Sequence, residues 1–143
     1  MSVIRPELTI DEQTRSEQGR ASNPAASAWV SANAGSGKTF VLARRVVRLL
    51  LAGTDPSRIL CLTFTKAAAA EMSNRVFAIL GEWTALGDDQ LVKEIKSIEN
   101  KSPDAAKLRR ARTLFARALE TPGGLKIQTI HAFCEALLHQ FPL

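Results

Sequence analysis

The chain has 143 residues, 45% of them hydrophobic and 23% charged, which is enough for one packed domain or part of one. Its formal net charge of +5 favours an anionic partner, nucleic acid first, although an ordinary solvated surface can carry the same charge. Its two cysteines, Cys61 and Cys134, show no metal-ligand or disulfide spacing, and no apolar run suits a membrane span or a signal peptide. The sequence therefore argues against zinc, disulfide-scaffold and membrane classes, and we expect a cytoplasmic protein.

The first 17 residues are polar and carry no sustained apolar face. They predict a partly disordered N-terminal arm, in which residues 9–18 could form one short helix capped within residues 14–18. Asn23 and Pro24 would stop that helix. The arm is predicted to end at residue 17, and a folded domain is predicted over residues 18–143.

The clearest motif is the glycine-rich stretch 32–39, which ends in Lys-Thr. An apolar run over residues 28–31 precedes it and predicts a short buried strand, and helical periodicity follows it up to Leu51. Strand, glycine-rich loop and helix form the phosphate-cradling arrangement of P-loop NTPases. The alternative is a Gly/Ser-rich turn that ends in Lys-Thr by chance.

The residues of this loop predict specific roles. Gly35 and Gly37 let the backbone curl so that N–H groups point at phosphate oxygens. Lys38 would reach the β- and γ-phosphates and Thr39 would place its hydroxyl on Mg²⁺, so these two are the predicted catalytic residues and Thr39 the metal ligand. The predicted nucleotide contacts in the loop are Ala34, Gly35, Ser36, Gly37, Lys38, Thr39 and Phe40.

The helix after the loop has two distinct faces. Its apolar positions predict a buried stripe, and we interpret the arginines on another side as a solvated basic face. The stripe is Leu42, Val46, Leu49 and Leu50, and the arginines are Arg44, Arg45 and Arg48.

An apolar run without alternation over residues 58–64 predicts a central parallel strand covered on both faces. Thr65 and Lys66 lead into an alanine-rich helix over residues 67–80, which Gly81 is expected to end. Residues 82–121 predict a helical insertion with helices at 88–99 and 103–120, the second capped by Ser102. The second helix is basic, which suits either DNA phosphates or a solvated face.

Residues 125–129 predict a third strand, and residues 130–140 a helix with Phe133, Leu137 and Leu138 turned inward. The pattern is α/β, with parallel strands flanked by helices. None of the predicted strands ends in the Asp or Asp-Glu that completes a Mg²⁺ site in P-loop ATPases. We therefore expect a truncated domain from a longer protein, inactive alone.

Four blocks together resemble the N-terminal part of UvrD/Rep-type superfamily-1 DNA helicases, and most of all the AddA helicase–nuclease subunits of double-strand-break repair. Gln18 with Ala21 and Pro24 resembles the Q motif of that family. Residues 29–39 resemble motif I, in which alanine at the position of Ala32 is normal. Residues 62–72 resemble motif Ia, and residues 129–134 resemble the Thr-Ile-His-Ala-Phe-Cys block that follows the third strand.

The resemblance implies a RecA-like ATP-binding motor domain in which Gln18 reads adenine, with ATP and Mg²⁺ as cofactors. Phe133 could instead be core and His131 a helix cap. Two departures are Phe40, where many relatives have Arg, and Thr65 followed directly by Lys66 without an intervening Asn. The residues that the resemblance places on single-stranded DNA are Phe64, Thr65, Lys66, Thr129, His131 and Phe133.

The implied function is an ATP-dependent DNA helicase, or translocase, of recombinational double-strand-break repair, associated with the nucleoid. Implied partners are single-stranded and double-stranded DNA, the rest of the same polypeptide and an AddB-like subunit. Two alternatives remain open from the sequence. One is a small P-loop kinase or ATPase, and the other is a non-catalytic module that binds nucleic acid.

Overall fold

The computed structural model describes residues 11–33, 35 and 37–141. Predictions for residues 1–10, Ala34 and Ser36 lie outside the described residues. The described chain is α/β, with a short 3₁₀ turn at Pro56–Arg58. Its elements are α1 (Glu12–Ala21), α2 (Lys38–Leu51), β1 (Leu60–Thr63), α3 (Lys66–Ala85), α4 (Asp88–Glu99), α5 (Ala105–Glu120), β2 (Lys126–Thr129) and α6 (Ile130–Leu138).

The two strands pair in parallel, as predicted, with Leu60 opposite Lys126 and Thr63 opposite Thr129. Their sheet is covered on one face only. Cys61 points into the core, whereas the alternate side chains Leu60 and Leu62 are 44% and 42% exposed. The expectation of a strand covered on both faces is therefore wrong, because the described helices bury only one side of the pleat.

The predicted buried strand over residues 28–31 is also wrong. This segment has no regular secondary structure, and Trp29 and Val30 are 95% and 43% exposed. A strand needs hydrogen bonds from a neighbour, and within the described residues the sheet joins β1 to β2 alone. Its apolar side chains thus lie on the surface beside the glycine-rich loop.

The core lies among α2, α3, α4 and α5 and against the covered face of the sheet. Helix α4 has the predicted bounds and buries its predicted stripe of Leu91, Ile95 and Ile98. In α2 the stripe is rotated from the prediction, because Leu42 is exposed while Val41 and Val47 are buried. The largest fully buried side chains are Trp83, Leu50, Leu51, Leu80, Leu91, Ile95 and Leu114.

Three helix boundaries differ from the predictions. Helix α3 continues through Gly81, because the missing side chain lets the ring of Phe115 approach: a Cβ there would lie 3.5 Å from it. Helix α5 is capped by Asp104 rather than Ser102, with the Asp104 carboxylate accepting from the backbone N–H of Lys107 at 2.7 Å. Helix α1 begins after Asp11, so the predicted end of the arm at residue 17 falls inside it.

Helix α6 buries none of its residues. Leu137 and Leu138, which were predicted to point inward, are 44% and 71% exposed. The helix leaves the end of β2 and contacts mainly the two strands, so no described element covers the side on which these leucines lie. An apolar stripe predicts burial only where a second surface packs against it.

Candidate nucleotide and nucleic-acid site

The glycine-rich loop has the backbone curl that the motif requires. Gly35 and Gly37 have φ values of 79° and 83°, in the left-handed region that glycine adopts without strain. Gly37 is also the residue that precedes α2, so this helix begins without a side-chain cap. The first N–H groups of α2 and the positive end of its dipole therefore face the loop, which is an arrangement that suits an anion.

Lys38 and Thr39, the two predicted catalytic residues, occupy the first turn of α2. The Lys38 ammonium donates to the backbone carbonyls of Ala32 and Asn33 at 2.6 and 2.7 Å, so the cation lies across the start of the loop. Lys38 and Thr39 also line a cavity of about 160 Å³ together with Thr63, the last residue of β1. The loop, the helix start and the strand end thus meet at one place.

Helix α1 places Gln18 against the loop. The Gln18 side-chain nitrogen lies 3.3 Å from the point where a Cβ on Gly37 would be. Gln18, Trp29 and Lys38 also line one cavity of about 290 Å³ between α1, the exposed segment and α2. The tertiary structure therefore brings together Gln18 and the P-loop residues, which belong to separate motifs in the sequence.

Phe40 lies one residue beyond Thr39 and is half-buried. The Arg44 guanidinium lies 5.1 Å from the centre of its ring, within the range of a cation–π contact. Arg44 also donates to the carbonyl of Ser97 near the end of α4. Burial lowers the pKa of Arg44, as does the neighbouring Arg48, while Glu94 opposes that shift.

The three arginines of α2 do not form a solvated basic face, contrary to the prediction. Arg45 donates to the carbonyls of Ala21, Asn23 and Ala26 at 3.1, 2.7 and 2.6 Å. Arg48 donates to the carbonyl of Gly19 and to the Ser22 hydroxyl at 3.0 and 3.1 Å. A side chain's distant backbone partners leave no signal in periodicity, so these contacts could not be predicted from the sequence.

The predicted DNA-contacting residues of motif Ia lie at the carboxyl end of β1. Phe64 is 83% exposed, and Lys66 begins α3 with its side chain exposed. The Thr65 hydroxyl accepts from the N–H of Ala68 at 3.1 Å and so caps α3. This cap uses the oxygen as an acceptor, so the O–H proton can still be donated to another group.

The second set of predicted DNA contacts lies beside the first, because Thr63 and Thr129 are paired across the parallel strands. Thr129 is buried, and its hydroxyl caps α6 by accepting from the N–H of Ala132 at 3.1 Å. His131 is exposed and Phe133 is half-buried. The parallel register therefore brings both predicted sets to one edge of the sheet, with Phe64 as the most exposed aromatic ring among them.

The basic residues of α5 largely hold the helical insertion together. Lys107 pairs with Glu99 at 2.7 Å, and Arg112 pairs with Asp88 at 2.7 Å. Arg112 and Arg110 also donate to the backbone carbonyls of Trp83 and Leu51. These contacts occupy three of the cations that could have faced DNA phosphates and leave Arg109 and Arg117 exposed.

Metal clusters and membrane spans are both absent from the described part of the chain. It contains no cluster of three or more His, Cys, Asp or Glu side chains that could hold a metal ion. It also contains no helix with the length and apolar character needed to cross a membrane. The residue that the motif offers to a metal is Thr39, whose single hydroxyl suits a Mg²⁺ ion that also takes oxygens from phosphate and water.

Comparison with known proteins gives one family match over most of the chain. The UvrD/REP helicase N-terminal domain matches residues 14–142. The chain is 36% identical over 134 residues to an ATP-dependent helicase/nuclease subunit of Latilactobacillus sakei, with 94% of the chain covered. It is 32% identical over 130 residues to the protein of the same name from Pediococcus pentosaceus, with 91% covered.

The chain spans only a small part of these relatives. It covers 13% of the L. sakei protein and 9% of the P. pentosaceus protein. A shorter match to the protein of that name from Lactobacillus gasseri is 54% identical over 61 residues, which is 42% of the chain and 5% of that protein. No solved structure matches the chain.

Proposed function

The chain belongs to the UvrD/REP helicase family, and we propose that it is the ATP-binding N-terminal part of an ATP-dependent DNA helicase. The resemblance predicted from its motifs agrees with this membership. The proposed fold is part of a RecA-like P-loop domain, with α4 and α5 as a helical insertion. The proposed role of the whole protein is in recombinational double-strand-break repair, supported by relatives named as ATP-dependent helicase/nuclease subunits of the AddA type.

The observation that carries this proposal is the meeting of Gln18, the glycine-rich loop and the start of α2. The loop N–H groups and Lys38 would hold the phosphates of ATP, and Thr39 would hold Mg²⁺. Gln18 would hydrogen-bond the adenine base, and Phe40 would contact the nucleotide from the first turn of α2. When bound, ATP supplies the phosphoryl group whose hydrolysis drives movement along DNA. Ala34 and Ser36 complete the proposed set.

The edge of the sheet at the ends of β1 and β2 is the proposed surface for single-stranded DNA. Phe64 offers an exposed ring on which a base can stack, and Lys66 and His131 offer groups for phosphates. Thr65 and Thr129 fix the two helix starts and can donate their hydroxyl protons. Phe133, half-buried beside them, would support the surface and contact DNA through its exposed part.

We also propose the partners and setting of the intact protein. Its proposed partners are double-stranded DNA, the rest of the polypeptide and an AddB-like subunit. The cytoplasmic nucleoid is its proposed location. Because an acidic strand for the Mg²⁺ site and a second motor domain are absent from these 143 residues, the chain alone is proposed to lack ATPase turnover.

Two variants of the intact protein test this proposal. Lys38→Ala should abolish measurable ATP binding while single-stranded DNA binding persists, with Lys93→Ala in exposed α4 as the matched control. Phe64→Ala should weaken DNA binding by about tenfold, the order expected for one stacked base, while ATP binding persists. Phe141, a phenylalanine that is 67% exposed beyond α6, provides its matched control.

The two readouts also separate the alternative functions. A kinase would bind ATP through Lys38 but show no dependence on Phe64 for DNA. A non-catalytic nucleic-acid module would show DNA binding with no loss of ATP binding in Lys38→Ala, because no specific ATP binding would exist. Either result would contradict the helicase proposal.

A further inference from the structure

We propose that Arg45 and Arg48 are positioning residues for nucleotide recognition: they hold the end of α1 so that Gln18 stays against the P-loop. This inference rests on the proposed ATP site. It assigns to these two arginines a role that requires no contact with the nucleotide. Its basis is the way in which α1 is attached to the rest of the chain.

Helix α1 lacks the usual means of attachment. It is a polar helix, and none of its own residues is buried. Hydrophobic burial is the main force that docks helices in proteins, and α1 has almost none of it to offer. Its position must therefore depend on other contacts.

The arginine contacts supply that attachment. The last carbonyls of a helix have no partners within the helix and form the negative end of its dipole. Arg48 donates to Gly19 and Arg45 donates to Ala21, two of the carbonyls at this end of α1. Two charged side chains from α2 therefore hold the terminus of α1 where a cation is favourable.

Ser22 links the contacts into one network. It is 1% exposed, its hydroxyl donates to the Gly19 carbonyl at 3.1 Å, and its oxygen accepts from Arg48 at 3.1 Å. Arg45 extends the same attachment past the helix by binding the carbonyls of Asn23 and Ala26. Burial is the main cause of a lowered pKa for Arg48, which shows that this guanidinium is partly desolvated and that its hydrogen bonds are correspondingly strengthened.

The network ends one residue from the group it would position. Gln18 immediately precedes Gly19, the carbonyl partner of Arg48, and its side-chain nitrogen lies 3.3 Å from the Cβ position of Gly37. Both arginines and Gly37 belong to the same helix and its cap, so the arginines fix α1 to the element that also carries Lys38. Freeing the end of α1 would thus move Gln18 relative to the phosphate site without altering the phosphate site itself.

The test compares two ligands of the intact protein by calorimetry: ATP, which has an adenine base, and inorganic tripolyphosphate, which has none. In Arg45→Met/Arg48→Met, ATP should bind about tenfold more weakly, the order of one or two lost hydrogen bonds, and tripolyphosphate should bind within about twofold of the original protein. Arg45→Lys/Arg48→Lys should recover part of the loss, because lysine keeps the charge but cannot donate to several carbonyls at once. Arg75→Met, at an exposed ion pair in α3, is the matched control.

Gln18→Ala makes the proposal specific. If the arginines act through Gln18, Gln18→Ala should reproduce the ATP effect, and adding the two methionines to it should weaken ATP no further. Hydrogen exchange should accelerate across Glu12–Ala21 in the methionine variant and stay unchanged in α3 and α5, which also shows that the variant is folded.

Each contrary result has a distinct meaning. Equal weakening of ATP and tripolyphosphate, additive effects with Gln18→Ala, or unchanged exchange in α1 would overturn the positioning role. An unchanged ATP affinity in Gln18→Ala would also overturn it while leaving the ATP site intact. The ATP site itself fails only if Lys38→Ala binds both ligands normally.

Discussion

The side-chain nitrogen of Gln18 lies 3.3 Å from where a Cβ would extend from Gly37, so the loop glycine and the glutamine of α1 pack almost atom against atom. Gly37 also has a φ of 83°, which any other residue adopts with strain. Two separate constraints, one from the backbone and one from a neighbour, therefore require glycine here.

These constraints predict different results for the two loop glycines. Gly37→Ala should weaken ATP more than tripolyphosphate, because the new methyl group displaces Gln18, whereas Gly35→Ala should weaken both ligands alike, because nothing lies within 4 Å of its Cβ position. Each substitution should also cost about 1–2 kcal/mol of folding free energy through its positive φ. Gly87→Ala, at an ordinary φ and in open space, is the control. Equal ligand profiles for Gly37→Ala and Gly35→Ala would contradict the contact with Gln18.

The two tryptophans predict opposite effects on stability. Trp83 is 1% exposed in the core, so Trp83→Ala should lower the free energy of unfolding by about 3–5 kcal/mol through lost burial and a cavity. Trp29 is 95% exposed, so Trp29→Ala should change it by less than about 0.5 kcal/mol. Urea denaturation measures both. A loss above about 1 kcal/mol in Trp29→Ala would show that residues 28–31 are buried after all.

Thr65 predicts a separation of helix capping from DNA binding. Aspartate also caps helices well, so Thr65→Asp should keep the stability that Thr65→Ala loses, about 1 kcal/mol. The added negative charge should nevertheless weaken single-stranded DNA binding, and the salt dependence of the dissociation constant should show it. Asp104→Thr is a capping control away from the sheet edge. If Thr65→Asp bound DNA as well as the original protein, the end of β1 would not face phosphates.

The two cysteines predict a pH-dependent difference in reactivity. Burial raises the pKa of the Cys61 thiol, whereas Cys134 is exposed. Iodoacetamide at about pH 8 should therefore label Cys134 in the folded protein and Cys61 only after unfolding, since the thiolate is the reactive form. Peptide mass mapping with and without urea measures this.

The same shift predicts a sign for stability. The unfolded chain loses the Cys61 proton near the ordinary thiol pKa, about 8.5, and the folded chain loses it only at higher pH. The contribution of Cys61 to stability is thus complete below that pKa and declines as the pH rises above it. Cys61→Ala should remove this decline and Cys134→Ala should keep it. An identical pH slope in both variants would contradict the burial of Cys61.

Local elements could be predicted from residues that are close together in the sequence. Helix α4 has its predicted bounds, and α2 begins at Lys38 after a glycine as expected, because apolar periodicity and end signals are written within a few residues of each other. The motif order also sufficed to indicate the helicase family, which the match over residues 14–142 confirms.

Which surfaces are covered and which distant groups meet became clear only from the folded arrangement. Residues 28–31 have a strand's composition but no described neighbour to bond, and the leucines of α6 have a stripe with nothing described packed on it. Arg45 and Arg48 look like solvated charges in the sequence, yet they bind the carbonyls that end α1 and the segment after it. Periodicity records a residue's own helix or strand, whereas burial and hydrogen-bond partners depend on which other segments the fold brings within a few ångströms, and that is why Gln18 met Gly37 only in three dimensions.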